Sequence, residues 1–216
     1  MKPFLPPAEM DFVKDAYEGA SVILEYGSGG STLMAARMPD KRIFSVESDP
    51  DWADKVRAQI AADNCPSPAI IHHVDIGPTG PWGLPKSGAA WRNFQSYPMS
   101  VWDQPFFQQP DVILIDGRFR TACLMAAVLR TKRRVTVLFD DYTVRPSYQT
   151  VERLLGSPRT IGRLAVYQIV PGMVTMADMP VVIEHFFRGR LLGEKEETYR
   201  TSAPQDTSTD DLSPAG

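Results

Sequence analysis

The chain has 216 residues, of which 43% are hydrophobic and 23% are charged, and these values are ordinary for a single soluble α/β domain. No apolar run reaches the ~18–20 residues that a transmembrane helix needs, and no apolar signal core follows the N-terminus, so we expect neither a membrane nor a secreted protein. Cys65 and Cys123 are too few for a disulfide framework or a cysteine zinc site, which is typical of a cytoplasmic protein.

The net charge of −3 is unevenly distributed along the chain. Residues 194–216 carry six acidic and two basic side chains, so the remainder is close to neutral and gives no electrostatic reason to expect nucleic-acid binding. The same segment is rich in Ser, Thr, Pro and Asp and is predicted to be a disordered acidic tail. Residues 1–193 are therefore expected to form the folded domain, in an oligomeric state that the sequence leaves open.

Predicted helices and strands alternate along the folded part of the chain. Apolar spacing predicts helices over 8–18, 31–37, 50–64, 118–130 and 147–155. Short apolar runs predict strands over 21–26, 42–47, 69–75, 111–116, 135–140, 163–170 and 181–187, the last two as a hairpin. This alternation predicts a parallel sheet with helices on both faces, and ligands bind such sheets beyond the carboxyl ends of the strands.

A glycine-rich turn follows the first predicted strand. Gly27, Ser28 and Gly29 let the backbone bend sharply before the N–H groups of a helix N-terminus. Thr32 stands where a dinucleotide fingerprint has its third glycine, so that match is imperfect. Glu25 has no use in phosphate binding and is a candidate to orient a cation or an amino group, whereas the alternative is a plain tight turn.

Two further carboxylates end the next two predicted strands. Glu47 lies 20 residues after Gly27, a spacing that places a carboxylate on ribose hydroxyls, and its alternative is a solvated strand-end acid. Asp75 is a candidate acceptor for an adenine amino group, and its alternative is a turn-forming aspartate.

The pattern Glu25-x-Gly27-x-Gly29, with Glu47 and Asp75 on the following strands, resembles the class I S-adenosylmethionine-dependent methyltransferases over about residues 8–190. The resemblance implies a three-layer, doubly wound, seven-stranded sheet, mostly parallel with an antiparallel last strand. It also implies S-adenosylmethionine as cofactor: Glu25 and the turn Gly27–Ser28–Gly29 would hold the methionine part, Glu47 the ribose and Asp75 the adenine side. Ser31 departs mildly from the family pattern, which often has a further glycine there.

Three acids follow the fourth and fifth predicted strands. Asp116, Asp140 and Asp141 are similar in position to the magnesium ligands of catechol-type O-methyltransferases, although Asn usually stands in place of Asp141 and no lysine base is placed here. The interpretation that we favour has no metal and makes Asp116 and Asp140 the catalytic residues, contacting or deprotonating the acceptor, with Asp141 in substrate binding. A third alternative has Asp140 capping the next turn. Arg118 and Arg145 either pair with these acids or clamp an anionic substrate.

Residues 76–110 form a long insertion rich in aromatic side chains, which include Trp82, Trp91, Phe94, Tyr97, Trp102, Phe106 and Phe107. Segments of this length in compact domains are often lids or binding loops, so Trp82 is predicted to line a substrate pocket. The alternative is a satellite core or a dimer contact. The whole chain is thus predicted to methylate an oxygen or nitrogen of a small molecule. The alternatives are a non-catalytic protein of the same fold and, less favoured, an NAD-dependent oxidoreductase.

Overall fold

The computed structural model describes residues 1–189 and 191–193, so the predicted acidic tail lies outside the described residues. The helices are α1 (Pro7–Glu18), α2 (Gly30–Arg37), α3 (Pro50–Ala62), α4 (Trp91–Phe94), α5 (Ser96–Met99), α6 (Arg120–Arg130), α7 (Glu152–Leu155) and α8 (Met179–Phe186). The strands are β1 (Val22–Tyr26), β2 (Arg42–Glu47), β3 (Ala69–His73), β4 (Val112–Ile115), β5 (Val135–Phe139), β6 (Arg159–Ile161) and β7 (Leu164–Ile169). No described helix has the length and apolarity needed to cross a membrane.

The seven strands form one sheet in the order β3-β2-β1-β4-β5-β7-β6. Strands β1 to β5 run parallel, and β7 runs antiparallel to both β5 and β6. The order reverses between β1 and β4, so their carboxyl ends flank the crevice in which this sheet type binds ligands. The predicted doubly wound, mostly parallel seven-stranded sheet is confirmed.

The sheet separates two apolar cores. Successive residues of β1 point to opposite faces, so Ile23 packs with α1 and α2 while Leu24 packs with α6 and α8. Each fully buried side chain of this size contributes about 1.5–3 kcal/mol to the free energy of unfolding. The two cores hold the strand ends rigidly against each other, which fixes the loops that follow them.

The prediction of a strand over 181–187 is wrong, because residues 181–186 belong to α8 and Phe187 caps its C-terminus. The run Val181–Val182–Ile183 has high strand propensity, yet Pro180 suits the first turn of a helix and Val182 and His185 are buried on one helical face. The predicted hairpin exists, but its partner strand is β6, which precedes β7 and joins it through Gly162 at a φ of +54°.

The aromatic insertion divides into a buried part and an exposed part. Trp102 Nε1 donates to Tyr26 Oη at 2.7 Å, and Tyr26 Oη donates to the Pro98 carbonyl at 2.7 Å, so this part packs on the sheet as a satellite of the core. Trp82, by contrast, is 77% exposed. A short hairpin over 78–86 carries Trp82 and is closed by a bridge between Thr79 and Pro85.

Candidate active site

The turn after β1 brings the chain to the edge of the sheet within van der Waals distance of the turn after β4. Gly27 has a φ of +100°, and a Cβ atom added there would lie 2.8 Å from the Gly117 Cα atom. Only glycine therefore fits at Gly27. Gly29 is different: a Cβ atom there would meet nothing within 4 Å, so the loop presents open space on that side. Gly29 is thus the point at which a ligand can approach the backbone.

Glu25 supports this loop from inside the protein. Its side chain is fully buried, one carboxylate oxygen accepts a hydrogen bond from Tyr17 Oη at 2.7 Å, and the other accepts from Thr32 Oγ1. Thr32 Oγ1 in turn accepts from the Gly29 N–H at 2.9 Å. Burial raises the pKa of Glu25, while these hydroxyls lower it. This geometry indicates that Glu25 fixes the conformation of the loop. Direct contact between Glu25 and the methionine part of S-adenosylmethionine stays a prediction.

Glu47 braces the loop from β2. Its Oε2 atom accepts from the Ser28 N–H at 3.1 Å, and its Oε1 atom accepts from the N–H groups of Ser48 and Asp49 at 2.7 and 3.0 Å. Burial raises the pKa of Glu47, and the three backbone donors oppose that rise. The carboxylate therefore sits where the glycine loop, the end of β2 and the start of α3 meet, and its contact with a ribose stays a prediction.

Asp75 and the hairpin over 78–86 border the same edge. Asp75 is exposed, and its Oδ1 atom accepts from the Gly77 N–H at 2.8 Å, which is the turn-forming alternative; the adenine contact stays a prediction. The hairpin closes over β2, because Ser48 Oγ donates to the Gly83 carbonyl at 3.2 Å. Trp82 at its tip contacts Phe4 with ring centroids 6.1 Å apart.

The three acids after β4 and β5 are bound by arginines. Arg120, buried at the start of α6, places its Nη2 atom 2.8 Å from Asp116 Oδ1 and its Nη1 atom 3.3 Å from Asp141 Oδ2. Arg163 donates to both carboxylate oxygens of Asp140, at 2.8 and 3.0 Å. Arg145 pairs with Asp141 at 3.2 Å, which settles one of its two predicted uses.

These pairings distinguish the two predicted catalytic acids. The Asp140 side chain is 2% exposed and already accepts two hydrogen bonds from Arg163, so it supports the site instead of contacting an acceptor. The Asp116 side chain is 33% exposed. Burial raises the pKa of Asp116 to about 7, against the lowering effect of Arg120. Asp116 therefore remains the candidate base.

Comparison with known structures identifies the family. The chain is similar to a methyltransferase-like protein from Silicibacter pomeroyi DSS-3, with 45% identity and a TM-score of 0.82 over 86% of this chain and 97% of that chain. This chain belongs to the class I S-adenosylmethionine-dependent methyltransferase family. It is also similar to the O-methyltransferase TomG from Streptomyces achromogenes, solved with SAM, at 16% identity and a TM-score of 0.49 over 75% and 80% of the chains. No protein-family model matches the chain, and no curated protein does.

The glycine loop has room for S-adenosylmethionine, the cofactor of this family. The open side of Gly29, the Glu47 carboxylate and the rigid turn between them lie together at the switch point of the sheet. Gly27, Ser28, Gly29 and Glu47 would hold the cofactor, with Glu25 acting through Thr32.

A divalent cation does not fit between Asp116, Asp140 and Asp141. A cation there would have to displace the Arg120 guanidinium, which donates to the Gly117, Asp140 and Asp116 carbonyls at 3.1, 2.8 and 3.1 Å. Within residues 1–189 and 191–193, no group of three or more His, Cys, Asp or Glu side chains is arranged to hold a metal. The arginines supply the positive charge at this position.

The sequence does not indicate three residues of this site, Tyr17, Arg120 and Arg163, and it marks Thr32 only as a departure from the dinucleotide fingerprint. Arg120 carries a detectable signal, because it follows Asp116 by four residues at a helix start. Arg163 carries none, because its partner Asp140 is 23 residues away.

Proposed function

We propose that this chain transfers the sulfonium methyl group of S-adenosylmethionine to an oxygen or nitrogen atom of a small-molecule acceptor. The observation that carries the proposal is the position of Glu47, which joins the glycine loop to β2 at the switch point. The near-neutral charge of residues 1–193 supports a small acceptor over a nucleic acid.

The cofactor would supply an already activated methyl group, so the protein has mainly to orient and deprotonate the acceptor. Asp116 lies at the end of β4, beside the glycine loop, with part of its carboxylate open to solvent. In its ionised form it accepts the proton that the acceptor oxygen or nitrogen loses as the new bond to carbon forms. Arg120 holds the other face of the carboxylate and keeps it in one orientation. The hairpin over 78–86, with Trp82 at its tip, would exclude water.

Thermal unfolding with S-adenosylhomocysteine tests cofactor binding. A ligand at a hundred times its dissociation constant stabilises the folded state by about 2.7 kcal/mol, or about 5–10 °C for a domain of this size. We expect this shift in the wild type and its loss in Glu47→Ala, each measured against the same variant without ligand. Asp51→Ala, which removes an exposed acid from α3, is the matched control and should keep the shift.

The same series of experiments tests the two alternative functions. A shift with NAD and none with S-adenosylhomocysteine would replace the proposal by an oxidoreductase. Cofactor binding without transfer of labelled methyl to any member of a broad panel of phenols, amines and hydroxy acids would favour a non-catalytic protein. Methyl transfer that falls to a small residual rate in Asp116→Asn would support the assignment of the base.

A further inference from the structure

The segment of residues 2–4 lies at the carboxyl edge of the sheet and belongs to no helix or strand. It precedes α1, which a short turn joins to the amino end of β1, so the start of α1 points toward the edge that carries the glycine loop. A Cβ atom on Gly30 would lie 2.1 Å from the Pro3 nitrogen. The peptide bond between Lys2 and Pro3 therefore rests on the first residue of α2, directly after the glycine loop.

Groups from two sides of the site hold this segment. On one side, Arg163 Nη2 donates to the Phe4 carbonyl at 3.2 Å, and the same arginine holds Asp140, which follows β5. On the other side, the Phe4 ring contacts the Trp82 ring, which belongs to the hairpin that closes over β2. Strands β1 and β4 lie between β2 and β5 in the sheet. The segment therefore spans the crevice between β1 and β4.

The contacts that hold the segment are few and exposed. The side chains of Phe4 and Trp82 are 78% and 77% exposed, so most of each ring stays in water. Trp82 has a φ of +62°, a left-handed conformation that is unfavourable for a bulky side chain, so the closed arrangement itself carries a cost. One hydrogen bond reaches residues 2–4 from the rest of the described chain. A segment with so few buried contacts opens easily, whereas Glu25 and Glu47 fix the loop beneath it.

We propose that residues 2–4 form a strap, which closes the cofactor crevice and opens each time S-adenosylmethionine enters or S-adenosylhomocysteine leaves. This inference rests on the proposed function, because the crevice is the proposed cofactor site. The strap covers the site without filling it, since a Cβ atom on Gly29 would meet no protein atom within 4 Å. A cover of this kind slows the entry and the exit of a ligand by the same factor and leaves its affinity unchanged.

Stopped-flow binding of S-adenosylhomocysteine tests the strap without methyl transfer. Tryptophan fluorescence follows the binding, because Trp52 Nε1 donates to the Ser28 carbonyl of the glycine loop at 2.8 Å. A strap that is open about a tenth of the time slows both association and dissociation about tenfold. In a chain that lacks residues 2–4, we therefore expect both rate constants to rise about tenfold and the dissociation constant to stay within about twofold of the wild-type value.

Point variants test the strap with the whole chain in place. Phe4→Ala removes the contact with Trp82 and should raise both rate constants about threefold. Trp82→Ala should have the same effect, and the double variant should have no more than either single variant, because the two rings form one contact. Leu129→Ala, which removes an exposed apolar side chain at the far end of α6, is the control and should keep the wild-type rate constants.

The possible outcomes separate the strap from the proposed function. Wild-type rate constants in both the shortened chain and Phe4→Ala overturn the strap and leave the function intact. A rise in the dissociation rate constant alone would show that the segment contacts the cofactor, and tighter binding without residues 2–4 would show that it competes with the cofactor. Either result overturns the inference. Calorimetry on the wild type reports on the function: no binding of S-adenosylhomocysteine there overturns the proposed function and the strap with it.

Discussion

Arg120 Nη1 lies 3.7 Å from Asp140 Oδ2, and the two side chains are 6% and 2% exposed. The same nitrogen donates to the Asp140 carbonyl at 2.8 Å, and Arg120 Nε donates to the Gly117 carbonyl. One guanidinium therefore ties the end of β4 to the end of β5, next to the carboxylates of Asp116, Asp140 and Asp141. The geometry of the site depends on this single buried cation.

Arg120→Met is expected to destabilise the fold strongly. The substitution keeps much of the side-chain volume but leaves the carboxylates of Asp116, Asp140 and Asp141 with less compensation in a buried position, which costs about 3–5 kcal/mol. The free energy of unfolding in urea measures the loss. Arg134→Gln, on the surface, should change it by less than about 0.5 kcal/mol. A loss below about 1 kcal/mol in Arg120→Met would show that the buried network does not stabilise the fold.

Asp116 is expected to set the pH dependence of the reaction. Burial raises its pKa to about 7, so the ionised form needed by a base disappears below that pH. We expect kcat/KM for any accepted substrate to rise with pH up to about 7 and then level, and this step should be absent from the residual activity of Asp116→Asn. A flat profile between pH 5 and 8 in the wild type would remove Asp116 from the role of base.

Titration of Asp116 also changes the free energy of unfolding, and the raised pKa fixes the direction of that change. Because the folded pKa of Asp116 lies above its usual value of 3.8, the protonated carboxyl is favoured in the folded state. The stabilisation from this group is complete below about pH 4 and is lost as the pH rises through about 7. The free energy of unfolding of Asp116→Asn, relative to wild type, should therefore increase over that interval. A constant difference would contradict the raised pKa.

His185 is expected to weaken the fold under mild acid. It is buried in α8, and neither ring nitrogen has a hydrogen-bond partner among the described residues. Burial lowers its pKa to about 4, with a further contribution from the Arg188 cation. Its stabilising effect is thus present above about pH 6.5 and is lost as the pH falls towards 4, by about 3 kcal/mol.

Urea unfolding of wild type and His185→Leu at pH 7 and pH 4.5 measures this effect. The wild type should lose more stability on acidification than the variant, because leucine has no proton to gain. His73→Gln, which changes a partly exposed histidine on β3, should follow the wild type. Parallel losses in wild type and His185→Leu would contradict the prediction.

The contrast between Glu47 and Glu25 shows what the sequence can predict. The spacing from Gly27 predicts that Glu47 ends the next strand, since the length of one strand–helix–strand unit fixes where that strand ends, and Glu47 does end β2. Glu25 lies in β1, as predicted, but the direction of its side chain is not accessible from the sequence, because Tyr17 and Thr32 meet it only after α1 and α2 pack on the sheet. Local periodicity predicts where a strand ends, but it does not predict which way a buried side chain points.

The same limit explains the helix assigned as a strand. In α8, the run of β-branched residues favours a strand locally, and the helix is stabilised by packing of Val182 and His185 against the rest of the fold. Likewise, the sequence brings Asp116, Asp140 and Asp141 to one edge and offers Arg145 as a partner, but it does not indicate Arg120 or Arg163, which neutralise the other two. Long-range ion pairs depend on strand order, which single strands do not specify.

We expect the hydrogen bonds of Glu25 to affect both the stability of the fold and the affinity of the glycine loop for S-adenosylhomocysteine. Tyr17→Phe removes one donor to the carboxylate and leaves the aromatic packing, which costs about 1–3 kcal/mol because a buried acceptor loses its partner. Thr32→Val removes the donor that also holds the Gly29 N–H. We expect both variants to lose stability in urea, but Thr32→Val alone to lose affinity for S-adenosylhomocysteine. Equal affinities would show that the loop is fixed without Thr32.

Gly29 and Gly30 are neighbours with opposite surroundings, and this makes them a matched pair. A Cβ atom on Gly30 would lie 2.1 Å from the Pro3 nitrogen and 2.2 Å from the Lys2 carbonyl carbon, so the N-terminal segment lies directly on this glycine. A Cβ atom on Gly29 would meet no protein atom within 4 Å. Alanine at position 30 must therefore displace residues 2 and 3, while alanine at position 29 fills space that a ligand would use.

Gly30→Ala is accordingly expected to displace the N-terminal segment and to reduce the contact between Phe4 and Trp82, measured as a change in the NMR chemical shift of the Trp82 indole N–H. Gly29→Ala should leave this chemical shift unchanged and instead weaken binding of S-adenosylhomocysteine, because the new methyl group occupies the open side of the loop. If Gly29→Ala binds S-adenosylhomocysteine as the wild type does, the cofactor does not approach the backbone at Gly29. If Gly30→Ala gives the wild-type chemical shift, the N-terminal segment does not rest on the loop in solution.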